Sequence, residues 1–181
     1  KKLGTQVVFA LMVLDTSAWA QLGDMGAALK QLDCYKMVLD HHQGEDDLGA
    51  EFFKDSTAEA AGRLVVDAAD ALGVELTAKI AQPLFAAIST DTGWFRFGSA
   101  NANTYQIASR LIAAGAKPAD IYGDLYERET VGRIRLRGRV LERMEVQSEG
   151  RLAHTFIRCE DFQETGALPS DTEDLVNLCL T

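Results

Sequence analysis

The sequence predicts an α/β domain: a parallel sheet with helices on both faces. Three observations carry this. Two apolar runs without alternating polar positions, Val7–Leu14 and Tyr35–Leu39, read as buried strands. The stretch between them, Ala18 to Leu32, has helical spacing and closes a βαβ crossover. Each run also ends on an acid, Asp15 and Asp40, and in parallel α/β sheets ligands gather at the carboxyl ends of the strands.

The remaining elements follow in order. Glu51–Phe53 reads as a third short strand. Ser56 to Leu72 reads as a helix, with Ser56 and Glu59 spaced as a capping box and Gly73 as its stop. Thr77–Ser89 is the next helix, with Pro83 expected to kink it. Asn103–Ala114 follows, stopped by Gly115, and Pro118 suits the first turn of a helix reaching Tyr126. Residues 128–143 carry six arginines and read as a helix whose basic residues form a solvated face. Met144–Gln147 and Leu152–Arg158 flank the turn Ser148–Arg151 as a hairpin. Ser170 and Glu173 have capping-box spacing ahead of a last helix to Thr181. The expected domains are a catalytic domain over 1–127, a connecting helix over 128–144 and the start of a small α+β domain over 145–181.

Composition narrows the function. The chain has 181 residues, enough for one domain with a sizeable core. No apolar run approaches the ~18 residues of a membrane span, and the first residues lack a signal-peptide pattern. The three cysteines, Cys34, Cys159 and Cys179, have neither an even count nor CxxC spacing, which points to a reducing cytoplasm rather than a disulfide framework. The net charge of −9 argues against a grip on long duplex nucleic acid but not against a short oligonucleotide or a nucleotide.

The chemistry-bearing residues cluster. Asp40 is followed by His41 and His42, two of the three histidines of the chain, and Asp91 lies in Ser89-Thr90-Asp91-Thr92-Gly93. Carboxylates and imidazoles bind Mn²⁺ or Fe²⁺, and a cation pair so held activates water and neutralises a phosphoryl group. Taken singly, each residue has a plainer reading: Asp15 as a helix cap, His41-His42 as packing, Asp91 as turn chemistry.

Together they resemble a family. Asp40-His41-His42 is similar to the motif that names the DHH phosphoesterases. Leu14-Asp15-Thr16-Ser17 resembles the family motif before it. Asp91-Thr92-Gly93-Trp94-Phe95-Arg96-Phe97 resembles the one after it, in the D-T-G-x-F-x-F form of the subgroup acting on very short RNA and on 3′-phosphoadenosine-5′-phosphate. The resemblance implies a Mn²⁺-dependent phosphoesterase working by attack of a metal-bound hydroxide, with Mg²⁺, Fe²⁺ or Co²⁺ as other candidates. Asp15 would bridge two cations, and His41 and Asp91 would ligate one of them. His42 would contact the scissile phosphate, as a catalytic and substrate-binding residue, and Asp40 would support His41. A homodimer is implied, with the site in a cleft between two domains. Cyclic-dinucleotide hydrolysis, or nucleotide binding without catalysis, are the alternatives.

Two family features do not occur in the sequence: a leading His-x-x-x-Asp-x-Asp strand, which supplies most ligands of the first cation, and a closing Gly-Gly-Gly-His motif. As it stands, the chain offers three protein ligands to a single cation. Lys1–Phe9 and Ala10–Asp15 also resemble separate family segments. Phe9–Ala10 is therefore either a junction between them or the middle of one long buried strand.

Overall fold

The computed structural model describes residues 2–3, 6–7, 9–44, 46–172 and 175–179; of residues 2, 3, 6, 7 and 179 it describes the backbone alone. The chain divides into two compact units, one running to Ile121 and one from Tyr122.

The first unit is built on a parallel sheet of three strands, in the order β3 (Ala10–Leu14), β4 (Tyr35–Asp40), β5 (Glu51–Lys54). The register pairs Leu14 with Leu39 and Asp40 with Lys54, so the strands finish level with one another. Val7 lies outside this sheet. It belongs to β2 (Gln6–Val7), antiparallel to β1 (Lys2–Leu3), while Phe9 is 83% exposed. One continuous strand over 7–14 is therefore not formed.

Alternation of side chains sends the strands' apolar residues to both faces. On one face Val13 and Val38 pack with Leu29 of α1 (Asp24–Gln31) and with Leu48. On the other, Leu39 packs with Ala58 and with Leu64 of α2 (Ala61–Ala71). The expected α/β class, with helices on both faces, is what forms. The crossover helix is shorter than the sequence suggested. A 3₁₀ turn at Trp19–Gln21 precedes Gly23, whose φ of 49° breaks the helix before α1 begins.

The helix expected from Ser56 begins instead at Ala61, and Ser56 does not cap it. Asp55 takes over the local chemistry. Its Oδ1 accepts from the Thr57 amide at 2.9 Å and the Thr57 hydroxyl at 2.6 Å, and its backbone oxygen accepts from the Ala58 amide. Glu59, the other half of the supposed box, is buried and ion-paired to Arg63 at 3.2 Å.

Helix α3 (Ala78–Asp91) runs unbroken through Pro83 and carries Asp91 as its last residue, two positions beyond the expected end. Helix α4 (Ala102–Ala113) starts from Asn101, which with Thr104 forms a capping box, and Gly115 follows at φ 110°. Helices α2, α3 and α4 share the largest core, with Phe85, Ile88 and Leu111 at its centre. Helix α5 (Pro118–Tyr122) leads into a π-helical turn, Gly123–Glu127.

In the second unit, α6 (Val131–Glu142) buries Leu136 and Val140 against Ala167 and Leu175. Arg139 of this helix pairs with Glu164, and Arg143, the residue after it, with the buried Asp161. The hairpin forms from β6 (Glu145–Gln147) and β7 (Leu152–His154), shorter on its second strand than expected. A helix that the sequence pattern did not suggest, α7 (Cys159–Thr165), follows. The last predicted helix is replaced by 3₁₀ turns at Pro169–Thr172 and Leu175–Cys179; Glu173 of its supposed capping box lies outside the described residues. No helix among the described residues is long and apolar enough to cross a membrane.

Candidate metal centre

The site lies where the parallel strands end. Asp15 is the first residue after β3, and its amide donates to the Leu39 carbonyl at 3.0 Å. Its φ of 64° turns the chain sharply there, a left-handed conformation that Asp tolerates better than most residues. Asp40 closes β4, and the turn after it delivers His41 and His42. Asp91 arrives from elsewhere in the sequence, on the last turn of α3.

These residues converge. Nε2 of His41 lies 3.3 Å from Oδ1 of Asp15 and 3.6 Å from Oδ2 of Asp91. Asp15, His41 and His42 each offer a ligand atom within 4.8 Å of the others. All four expected residues are thus in one place, with the Asp40 carboxylate directly beneath.

The tautomer of His41 follows from its surroundings. Its Nδ1 lies 3.1 Å from the Ala58 carbonyl, which can only accept, so Nδ1 carries the proton. Nε2 of His41 is then the ring nitrogen that faces the two carboxylates. Two ligands about 2.1 Å from a divalent cation, at right angles, lie about 3 Å apart, close to the separations seen here. The donor set, an imidazole with two carboxylates, suits Mn²⁺ or Fe²⁺. Asp91 registers the crowding: burial first, then the charge of Asp15, pushes its carboxyl above the ordinary range.

Asp40 has no exposed surface. Its Oδ1 accepts from the His41 amide at 2.8 Å, the His42 amide at 3.2 Å and the His42 ring Nδ1 at 2.7 Å. Oδ2 accepts from the Ser17 hydroxyl at 2.6 Å. Burial alone would raise its pKa, but the bonds from Ser17 and His42 outweigh that and hold it at about 2. The sequence reading had Asp40 support His41. In the structure its carboxylate orients the ring of His42, and the Ala58 carbonyl orients the ring of His41.

Three contributors were not foreseen: Ser17, Lys54 and the Ala58 carbonyl. Ser17 stands two residues after Asp15, and Lys54 ends β5 opposite Asp40 in register. A cation and an anion closing adjacent strands was the available signal for Lys54. A backbone carbonyl leaves no mark in a sequence.

Behind Asp91 the chain makes an unusual turn. Gly93, Trp94 and Phe95 all have left-handed φ, at 56°, 59° and 64°. The Thr92 hydroxyl ties the turn together, donating to the Ile88 carbonyl at 2.7 Å and accepting from the Phe95 amide at 3.1 Å. Trp94 and Phe95 then pack on Phe85.

A parallel sheet whose carboxyl edge carries an Asp-His-His turn, with acids from a neighbouring strand and helix, is the arrangement that the resemblance to the DHH phosphoesterases implied. No family model matches the chain. It is 32% identical over 140 residues to the bifunctional oligoribonuclease and PAP phosphatase NrnA of Thermus thermophilus, an alignment covering 77% of this chain and 41% of that protein. To the NrnA of Bacillus subtilis it is 27% identical over 143 residues, covering 77% and 45%. An exopolyphosphatase-related protein from Bacteroides fragilis superposes with a TM-score of 0.88 at 25% identity, over 95% of this chain and 51% of that one. The first two similarities are to NrnA proteins, the type that the resemblance drawn from Asp40-His41-His42 implied. The chain spans less than half the length of either curated relative.

Proposed function

We propose that this chain carries the catalytic centre of a phosphoesterase acting on short oligoribonucleotides, on 3′-phosphoadenosine-5′-phosphate, or on both. The observation that carries the reading is the approach of Asp15 and Asp91 to Nε2 of His41, three candidate ligands, with His42 close to Asp15 and His41. A divalent cation, Mn²⁺ first among candidates, would be held by these three and would supply Lewis acidity and an activated water. A second cation would need ligands beyond them. His42, its Nδ1–H held by Asp40, would meet a phosphoryl oxygen through Nε2 once Nε2 also carries a proton to donate. The substrate class rests on the NrnA relatives and on Asp91-Thr92-Gly93-Trp94-Phe95-Arg96-Phe97. The acidic balance fits a short substrate better than long duplex nucleic acid. The cytoplasm, as a reducing setting, and a homodimer complete the proposal.

The test is hydrolysis of a labelled RNA dinucleotide and of 3′-phosphoadenosine-5′-phosphate by the full-length protein, with Mn²⁺ and with chelator, beside His42→Ala. Mn²⁺-dependent release of mononucleotide or phosphate, strongly reduced but still measurable in the variant, is expected. Turnover of cyclic dinucleotides alone would overturn the substrate class. No turnover of any of these by the folded protein would overturn catalysis in favour of nucleotide binding.

A further inference from the structure

Beneath the metal-ligand cluster lies a second layer of polar groups. Lys54 ends β5, with its side chain largely buried. Its ammonium donates to the Gly44 carbonyl at 2.7 Å and to the Ser17 hydroxyl oxygen at 3.1 Å, and stands 3.7 Å from Oδ2 of Asp40. Ser17 is 2% exposed, with its hydroxyl 2.6 Å from Asp40 Oδ2 and 2.8 Å from the Gly44 carbonyl. A hydroxyl has one proton to give. The Asp40 carboxylate is the closer and the more strongly accepting of the two, so it takes the Ser17 proton, and the order of donation runs Lys54 to Ser17, Ser17 to Asp40, Asp40 accepting from His42.

This order has a consequence for His42. A carboxylate with no exposed surface stays correctly aimed only while its oxygens are satisfied. Oδ1 faces the histidine turn; Oδ2 faces away from it, toward Ser17 and Lys54. Without the donors at Oδ2, the carboxylate is free to rotate, and the His42 ring loses the acceptor that fixes its orientation. We propose that Ser17 and Lys54 are positioning residues for His42, acting on it through Asp40. The proposal rests on the phosphoesterase reading for its effect on turnover, but not for its effect on the His42 ring. The same groups tie the segment after β3 to the ends of β4 and β5.

The experiment uses the full-length protein with Ser17→Ala and Lys54→Met, each made alone and in a His42→Ala background. Turnover of the RNA dinucleotide with Mn²⁺ should fall about 10- to 100-fold in each single variant, the range typical for partners that orient site groups. Mn²⁺ affinity by calorimetry should stay within about twofold, since Asp15, His41 and Asp91 are untouched. In the His42→Ala background neither change should cost more than about twofold further, because the residue they act through is gone. A loss of equal size in both backgrounds would overturn the proposal in favour of a merely structural role. ¹⁵N spectra of the imidazoles in metal-free protein give a readout independent of turnover. His42 should be the Nδ1–H tautomer in the parent and a mixture in both variants, while His41 remains Nδ1–H. If the parent turns over no phosphoester, the phosphoesterase reading fails and these spectra decide the positioning role alone. An unchanged His42 signal in both variants would overturn it.

Discussion

The ring Nδ1 of His42 lies 2.7 Å from Oδ1 of Asp40, a carboxylate with no exposed surface that also accepts both backbone amides of the histidine turn. The three bonds fix where His42 points. Asp40→Asn keeps the shape but cannot satisfy both sides: if the amide oxygen faces His42, its NH₂ faces the Lys54 ammonium 3.7 Å away. Turnover should drop about 10- to 100-fold, with Mn²⁺ binding much less affected. Measured kcat and calorimetric Mn²⁺ affinity check this; a variant as active as the parent would refute the role given to Asp40.

Acid stability follows from the same carboxylate. Its folded pKa of about 2 lies below the ordinary ~3.9 of an unfolded chain. A lowered pKa stabilises the fold fully above about pH 4, and that contribution is lost as pH falls from about 4 toward about 2. Asp161 in the second unit behaves alike, its carboxyl held far down by the Arg143 guanidinium. The difference in melting temperature between the parent and Asp40→Asn should be largest near pH 6 and shrink below about pH 4. A pH-independent difference would show that Asp40 contributes by shape alone.

The parts that sequence made legible are those where one physical signal dominated. Met12 to Leu14 and Val38 to Leu39 are apolar and end on acids, so the strands and the location of Asp15 and Asp40 were readable. Gly73 and Gly115 marked helix ends because only glycine takes their left-handed φ cheaply. Ser56 misled because a capping box is a local pattern. Here Asp55 made the competing turn, and the Ala58 carbonyl was needed at His41. Lys54 was invisible because its role arises only when β5 pairs in register with β4. The 159–165 helix was missed because polar residues dominate it and a basic residue, Arg158, precedes it.

Gly93 is where the D-T-G pattern has a steric reason. Its φ is 56°, and a Cβ there would fall 2.4 Å from the Phe97 ring. Gly93→Ala should cost about 1–2 kcal/mol from the backbone conformation alone, with further loss as Phe97 is displaced. The left-handed turn hangs directly from Asp91, so Mn²⁺ affinity should weaken along with thermal stability. A variant with lowered melting temperature and unchanged Mn²⁺ affinity would show that the turn only packs and does not place Asp91.

Asp91 should reveal the conflict between stability and binding built into the site. Burial and the nearby charge of Asp15 raise its carboxyl pKa in the folded protein. A raised carboxyl pKa has the opposite sign to that of Asp40. Metal-free protein is unaffected below the unfolded carboxylate range and loses stability as pH rises through it, because the unfolded chain gives up the proton more readily. At neutral pH the charge is therefore unfavourable until a cation meets it. Asp91→Asn removes that charge and keeps the volume. The metal-free variant should melt above the metal-free parent at pH 7, whereas added Mn²⁺ should raise the melting temperature of the parent and hardly that of the variant, because one ligand of three is gone. The two differences have opposite signs, and differential scanning calorimetry with and without chelator separates them. If the variant is less stable than the parent without metal, Asp91 is a structural residue of the α3 terminus, and the cation site must be drawn without it.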